Sequence, residues 1–177
     1  MQSALTGHLV FSTLHTNSAV GAITRLADVG IERFLLVSSL QGVMAQRLVR
    51  RLCPHCSAPV AWDDLADVHR HVLTETKRLF GHAMPVPLDE HSLDGAVGEF
   101  RKPVGCEVCM HTGFLGRVAI YELFDVDESM RQQIVNQAGE SDITHTLRAR
   151  GVRALADDGL LKVWRGITTV GEVMAVA

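Results

Sequence analysis

Two C-x-x-C pairs are the feature that most constrains the fold of this chain. The first pair is Cys53 and Cys56, the second is Cys106 and Cys109, and the sequence has no other cysteine. A C-x-x-C turn directs both of its sulfur atoms toward one point, and two such turns supply the tetrahedral four-sulfur shell that binds Zn²⁺. Because protein atoms then fill all four coordination positions, the predicted zinc ion is structural and does not catalyse.

Two disulfide bonds or four free thiols are the alternatives to zinc. Disulfides are disfavoured in a reducing cytosolic compartment, and a redox C-x-x-C normally occurs once, at the start of a helix. The gap between the pairs exceeds the roughly 15–20 residues of a compact zinc ribbon, so we expect it to hold an inserted helix. Gly105 and Gly113 flank the second pair and suit the positive φ of a metal-binding turn. His55 and His111 lie beside the pairs and are interpreted as bystanders.

Composition excludes several classes of function. The formal net charge is −3 and aromatic residues make up 5% of the chain, which argues against nucleic-acid binding. No apolar run approaches the roughly 20 residues that a membrane-spanning helix needs, and no signal peptide is recognised. We therefore expect a cytoplasmic chain that reaches a membrane only through partner proteins.

The N-terminal third is predicted to contain a strand followed by two helices. Residues 1–7 have the pattern of a helix end and residues 8–14 that of a buried strand. The polar run after them begins a helix, with Thr16 or Asn17 as its N-cap, that Gly30 ends. Residues 31–51 are predicted to form a second, long helix whose last turn carries three arginines. A strand followed directly by a helix indicates an α/β fold. Ligands of such sheets bind beyond the carboxyl ends of strands. The first candidate site therefore comprises Thr13, His15, Thr16 and Asn17.

The rest of the chain is predicted to be mainly helical. An amphipathic helix is expected over residues 63–80, a surface loop over 81–98 and a strand over 117–126. Four short helices follow, with Asp127 expected to cap the first and Ser141 the second, and the last opens with the capping box Thr169-Val170-Gly171-Glu172. One or two strands beside this many helices suggest that the chain is a piece of a longer protein.

Several segments resemble one known family. Residues 5–17, LTGHLVFSTLHTN, are similar to the histidine box of the ATPases that drive bacterial type II secretion and type IV pilus assembly. The similarity continues through residues 45–50, 113–122, 157–160 and 166–173, and it covers the chain except between the cysteine pairs. Details at residues 17–22 and 38–40 favour the type II secretion branch over the pilus branch.

The resemblance implies a fold and a division into domains. The expected fold is an α/β remnant of a RecA-like nucleoside-triphosphatase core, with an inserted tetracysteine zinc module and a mainly helical C-terminal subdomain. Residues 1–51 would be the C-terminal part of the ATPase core with its histidine box. Residues 52–116 would be the zinc module with its inserted helix, and residues 117–177 the strand and the helical subdomain.

The resemblance also implies roles for particular residues. His15 would sense the γ-phosphate of a bound nucleotide, with Thr13 and Thr16 as further contacts. Without the family, the pattern alone favours a hydrogen-bonded histidine at a strand–helix junction. Three arginines would contact a neighbouring subunit or a nucleotide phosphate, although a solvated basic helix end is an equally good interpretation. These arginines are Arg47, Arg50 and Arg51.

The implied function is that of the C-terminal part of the cytoplasmic motor ATPase of type II secretion. The parent would use ATP and Mg²⁺, form a hexamer and act on inner-membrane secretion components. This chain contains no G-x-x-x-x-G-K-[ST] motif, so it is predicted to be inactive alone. The alternatives are the same region of a pilus-extension ATPase, or a stand-alone zinc-binding interaction module. The zinc segment is interpreted either as a docking arm or as a replacement for a core that a small insertion cannot build.

Overall fold

The computed structural model describes residues 1–80 and 100–177 of the chain. The elements in chain order are α1 (Gln2–Leu5), α2 (Ala19–Asp28), α3 (Arg33–Ser39), β1 (Gly42–Leu52), β2 (Ala58–Pro59), a 3₁₀ turn (Trp62–Asp64), α4 (Asp67–Phe80), β3 (Arg101–Lys102), a second 3₁₀ turn (Glu107–Cys109), β4 (Phe114–Asp125), α5 (Glu128–Val135), α6 (Glu140–Ala149), α7 (Leu155–Trp164) and α8 (Val170–Met174). Strand β1 pairs with β4, and β2 pairs antiparallel with β3. The predicted mixed α/β content is confirmed. The loop predicted over residues 81–98 lies outside the described residues.

The described residues form two compact units. The first comprises Met1–Ala45 and Tyr121–Ala154, and the second comprises Gln46–Ile120 and Leu155–Ala177. The domain boundaries predicted after residues 51 and 116 stay a prediction. Within the described ranges, no helix has both the length and the apolar character that crossing a bilayer requires.

The first unit is a small helical core. Helix α3 packs against α5 and α2 packs against α6, each through apolar residues spaced three or four positions apart. The residues buried in this way are Ala19, Val20, Ala22, Ile23, Leu36, Val37, Met130, Ile134, Ile143 and Leu147. Helix α2 begins where the Ser18 side chain accepts a hydrogen bond from the Gly21 N–H, which satisfies one of the free amides of its first turn.

The second unit has its core where α4, α7 and α8 meet. Trp62 stacks on Trp164 at a ring-centroid distance of 5.9 Å, and Phe100 lies 4.8 Å from the same indole. Gly159 allows α7 to approach α8, because a Cβ at this position would lie 2.6 Å from a methyl carbon of Val173. The other buried members of this cluster are Leu73, Leu160, Val163 and Val170.

The strand predicted over residues 8–14 is wrong. These residues have no regular secondary structure, and the side chains of Leu9 and Phe11 are 82% and 88% exposed. A strand is stable only when its backbone groups pair with a neighbouring strand. No described strand pairs with residues 8–14, so their alternating pattern does not produce a strand in the described part of the chain.

The long helix predicted over residues 31–51 is also wrong. Helix α3 ends at Ser39, and β1 carries the chain from Gly42 to Leu52. Ala45 and Val49, four residues apart, fit the helical period as well as the two-residue period of a strand, so the sequence pattern is ambiguous. Pairing with β4 decides between them. The three arginines therefore lie on a strand and not at the C-terminal end of a helix.

Most of the later elements are where the sequence predicts them. Strand β4 is the strand predicted over 117–126, and it begins three residues earlier. Asp127 caps α5, because its side chain accepts a hydrogen bond from the Met130 N–H at 2.9 Å. Thr169 caps α8 by accepting from the Glu172 N–H. Two predicted caps are displaced: Ser18 replaces Thr16 or Asn17 before α2, and Gly139 replaces Ser141 before α6. Each displacement is one or two residues, the usual uncertainty of a helix end.

Candidate metal centre

The four cysteines come from two tight turns at the ends of two paired strands. Cys53 directly follows β1, and the Ser57 N–H donates to its carbonyl at 3.0 Å, which closes the first turn around Cys56. Cys106 precedes the 3₁₀ turn Glu107–Cys109, and β4 begins a few residues later. Strand pairing therefore brings the two turns together across the long gap in sequence.

The sulfur atoms have the spacing of a tetrahedral metal site. The Sγ atoms of Cys53 and Cys106 are 4.0 Å apart, those of Cys56 and Cys109 3.8 Å, and those of Cys106 and Cys109 3.7 Å. All four lie within 4.8 Å of one another. A zinc ion with Zn–S bonds of about 2.3 Å requires edges of about 3.8 Å, whereas a disulfide needs about 2.05 Å. The side chains thus fit one metal ion.

Backbone amides point at the sulfur atoms. The N–H of Gly105 donates to Sγ of Cys56 at 3.3 Å, and the N–H groups of Cys106 and Gly113 both donate to Sγ of Cys109 at 3.2 Å. Such donors stabilise negative charge on sulfur. These N–H groups therefore act as outer-shell hydrogen-bond donors to the thiolates, which are the metal-binding form of cysteine.

Two of the thiols have displaced pKa values. Burial raises the pKa of Cys56 to about 11. Hydrogen bonds with the neighbouring thiols raise this pKa further, whereas the hydrogen bond from the Gly105 N–H lowers it. Burial alone would also raise the pKa of Cys109. The N–H groups of Cys106 and Gly113 and the adjacent thiols outweigh burial, and the pKa of Cys109 falls to about 6. The amide donors thus favour the thiolate form of Cys109, which is the form that binds a metal ion.

The glycines beside the second pair have the predicted positive φ. Gly105 has φ +112°, and an added Cβ would lie 2.7 Å from the carbonyl oxygen of His111. Gly113 has φ +76°, and its Cβ would lie 2.4 Å from Cβ of Pro103. His55 and His111 are both exposed, and the cluster of potential metal ligands does not include them.

The predicted nucleotide-sensing residues share one segment before α2. Thr13 and His15 are exposed, and Thr16 is half-buried with its hydroxyl donating to the Ser18 carbonyl at 3.0 Å. Because residues 8–14 form no strand, His15 does not lie at a strand end as predicted. Its imidazole is accessible on the surface of the first unit.

The three arginines have different surroundings on β1. Arg50 forms an ion pair with Glu172, with Nη2 2.5 Å from Oε1 and Nε 2.9 Å from Oε2. Arg51 is exposed, and Arg47 is half-buried with a contact to the Gln46 carbonyl at 3.3 Å. A phosphate or a neighbouring subunit would have to compete with Glu172 for the Arg50 guanidinium.

A family model described as type II/IV secretion system protein matches residues 1–175 of this sequence. The chain belongs to this family. Within the type II/IV secretion family, one relative is the type II secretion system ATPase E of Vibrio cholerae, to which this chain is 45% identical over 176 residues. It is 46% identical to the type II secretion system protein E of Aeromonas hydrophila and 44% identical to the type IV pilus assembly ATPase PilB of Thermus thermophilus.

The family match extends over nearly all of the chain but over a small part of the relatives. The alignments cover 99% of the chain with the Vibrio and Aeromonas proteins, and 98% with the Thermus protein. They cover 31% of the length of each of the first two relatives and 18% of the third. The chain thus spans less than a third of the relatives it matches here.

Glu122 is a buried carboxylate whose contact with the start of α2 the sequence pattern does not predict. Its Oε2 accepts from the Ala19 N–H at 3.0 Å, so it satisfies an amide at the start of α2, directly after the candidate sensing segment. The available signal was alternation on β4, which places Glu122 on the same buried face as Ile120 and Phe124.

Proposed function

We propose that this chain is the C-terminal part of the cytoplasmic motor ATPase of type II secretion. The observation that carries the proposal is the family match over residues 1–175. Relatives of 45% and 46% identity carry type II secretion names, and one of these names includes ATPase. The parent hydrolyses ATP with Mg²⁺ and acts as a hexamer on inner-membrane secretion components.

The same region of a type IV pilus-extension ATPase is the second candidate. The Thermus pilus ATPase is 44% identical, close to the 45% and 46% of the type II relatives. Identity alone therefore separates the branches weakly. The type II branch is preferred because residues 17–22 and 38–40 resemble it more closely.

The tetracysteine cluster binds structural Zn²⁺ in this proposal. The sulfur spacing, the amide donors to sulfur and the positive-φ glycines all support a closed four-thiolate site. Zinc supplies shape to a segment that has little apolar core around the two turns. The segment also serves as the docking arm toward a partner or a neighbouring subunit.

His15 reports the nucleotide state in the parent. A neutral imidazole nitrogen donates one hydrogen bond, and a protonated ring donates two, so either form can contact a phosphate oxygen. The exposure of His15 and Thr13 in this chain is compatible with a phosphate supplied by another part of the parent. Glu122 holds the end of the same segment through the Ala19 amide.

This chain alone does not catalyse ATP hydrolysis. Phosphoryl transfer needs backbone amides and a lysine around the phosphates, together with a carboxylate that holds Mg²⁺. The sequence has no glycine-rich loop ending in Lys-Ser or Lys-Thr. Those groups are supplied by the remainder of the parent protein.

The test uses the longer protein that carries this chain. We expect His15→Ala to reduce ATP turnover by roughly 100-fold or more, the scale of losing one donor to transition-state charge, while nucleotide binding is retained. His145→Ala, which removes an exposed imidazole on α6 of the same unit and outside the histidine box, is the matched control and should leave turnover within twofold. Unchanged turnover in His15→Ala would remove the sensor role.

A nucleic-acid gel-shift assay tests the rival zinc module. The motor proposal predicts no tight binding of duplex DNA or RNA by the 177-residue chain at physiological salt, consistent with its net charge of −3. Tight binding that weakens steeply with salt would favour the stand-alone interaction module instead.

A further inference from the structure

The segment between α7 and α8 is fastened along the end of β1, next to the cysteine turn. The Leu52 N–H donates to the Ile167 carbonyl at 2.9 Å, and the hydroxyl of Thr168 donates to the Arg50 carbonyl at 2.8 Å. Thr168 is 1% exposed, so its hydrogen bond is shielded from water. Backbone and side-chain bonds therefore join residues 167–168 to the last residues before Cys53.

Glu172 reinforces this junction from the first turn of α8. Its carboxylate accepts three hydrogen bonds from Arg50: the backbone N–H at 3.2 Å, Nε at 2.9 Å and Nη2 at 2.5 Å. The Glu172 side chain is only 18% exposed. A bidentate guanidinium–carboxylate pair that also includes a backbone amide fixes geometry more strictly than an ordinary surface pair.

The same arginine also contacts the strand that leaves the second cysteine turn. The Arg50 guanidinium carbon lies 4.2 Å above the ring centre of Phe114, the first residue of β4. Directly before it, the carbonyl of Gly113 accepts from the Cys53 N–H at 2.9 Å and the Gly113 N–H donates to Sγ of Cys109. Arg50, which is part of β1, therefore also contacts β4, and it links the two strands that adjoin the cysteine turns.

Resting on the zinc centre proposed above, we infer that Arg50 and Glu172 are positioning residues of that centre. They hold the ends of β1 and β4 in the register that brings the two cysteine turns together. Zinc binding and the docking of α8 are consequently linked: zinc stabilises the docked helix, and the docked helix strengthens zinc binding. Because linkage is reciprocal, each effect can be measured separately.

The first experiment measures zinc release from the 177-residue chain to an excess of a chromogenic chelator. Glu172→Ala removes all three acceptor contacts, and Arg50→Met removes the guanidinium but keeps the aliphatic stem. We expect both variants to release zinc roughly tenfold faster than the unmodified chain, because losing an outer-shell partner typically costs about 10–100-fold in metal affinity and such losses appear mainly in the dissociation rate. The double variant should release zinc less fast than the product of the two single effects predicts, because the two side chains act largely through one shared ion pair.

The matched control is the exposed ion pair between Arg78 and Glu75 on α4, in the same unit. Arg78→Met and Glu75→Ala remove the same charges away from the cysteine turns and should leave the release rate within twofold. Far-UV circular dichroism before chelation checks that each variant is folded. Glu172→Gln, which preserves the side-chain shape, serves if Glu172→Ala does not fold.

The second experiment measures amide hydrogen exchange with and without chelator. In the unmodified chain, zinc removal should increase exchange across residues 167–173, beginning with the amides next to β1. Two results would overturn the inference without affecting the zinc centre. One is zinc release by the Arg50 and Glu172 variants at the rate of the unmodified chain, and the other is hydrogen exchange at 167–173 that does not change when zinc is removed. A purified chain without zinc would overturn the centre and this inference together.

Discussion

The Sγ atoms of Cys56 and Cys109 lie 3.8 Å apart, although 53 positions separate the two residues in the sequence. That separation matches the edge of a zinc–thiolate tetrahedron and is nearly twice the length of a disulfide bond. The pairing of β1 with β4 produces it, because each strand ends or begins at one of the two cysteine turns. The four-cysteine cluster is thus a consequence of long-range strand pairing acting on two local motifs.

Replacing one ligand should abolish zinc binding. Cys109→Ser removes one of the four thiols and leaves three sulfur ligands, so we expect loss of the metal and a free energy of unfolding lower by roughly 5 kcal/mol. Metal analysis and thermal unfolding measure the two effects. His55→Ala and His111→Ala are the controls and should retain the metal. Retention of stoichiometric zinc by Cys109→Ser would contradict the four-thiolate assignment.

Gly105→Ala should destabilise the second cysteine turn. The new Cβ would lie 2.7 Å from the His111 carbonyl oxygen, and the φ of +112° is strained for alanine. We expect a loss of about 2–4 kcal/mol in the free energy of unfolding, from steric overlap added to backbone strain. Gly116→Ala has φ +74° but no atom within 4 Å of its Cβ, so it should cost only about 1 kcal/mol. Equal losses in chemical denaturation would show that steric overlap is not the cause.

Gly159→Ala should have the opposite sign to the usual helix preference. Alanine gains about 1 kcal/mol over glycine in a helix, but the Cβ would lie 2.6 Å from a Val173 methyl carbon. We therefore expect a net loss of about 1–3 kcal/mol, from overpacking between α7 and α8. Gly171→Ala on α8, where the Cβ meets nothing within 4 Å, should be neutral or stabilising. The double variant with Val173→Ala should lose less than the sum of its single changes.

Acid should weaken the contribution of Glu172. Hydrogen bonds from the Arg50 side chain hold the pKa of Glu172 below its usual range. A carboxyl whose pKa is lowered on folding stabilises the protein fully above its unfolded value, about 4.3, and that stabilisation disappears as the pH falls through the lower, folded value. The difference in melting temperature between the unmodified chain and Glu172→Gln should therefore shrink between pH 6 and pH 3. A difference that does not change with pH would contradict the ion pair as its source.

The sequence predicted best what local chemistry determines. The cysteine turns, the glycines at positive φ, the cap at Asp127 and the cap at Thr169 each depend on a few consecutive residues, and the structure has all of them. The resemblance to the secretion family rested on motifs of the same local kind, and the family match confirms it.

What the sequence could not predict depends on partners far along the chain. Ala45 and Val49 fit both the helical and the strand periods, and pairing with β4 selects the strand. Glu172 reads as the second half of a capping box, but its carboxylate binds Arg50, 122 positions away. Residues 8–14 show the reverse error, because a strand pattern alone does not provide a neighbouring strand.

The zinc content and coordination of the purified chain test the central claim most directly. Elemental analysis should give one zinc per chain, and X-ray absorption at the zinc edge should show four sulfur neighbours at about 2.3 Å. Mass spectrometry under non-reducing conditions should find all four cysteines free of disulfide bonds. A metal-free chain whose cysteines are joined in two disulfides would contradict the account.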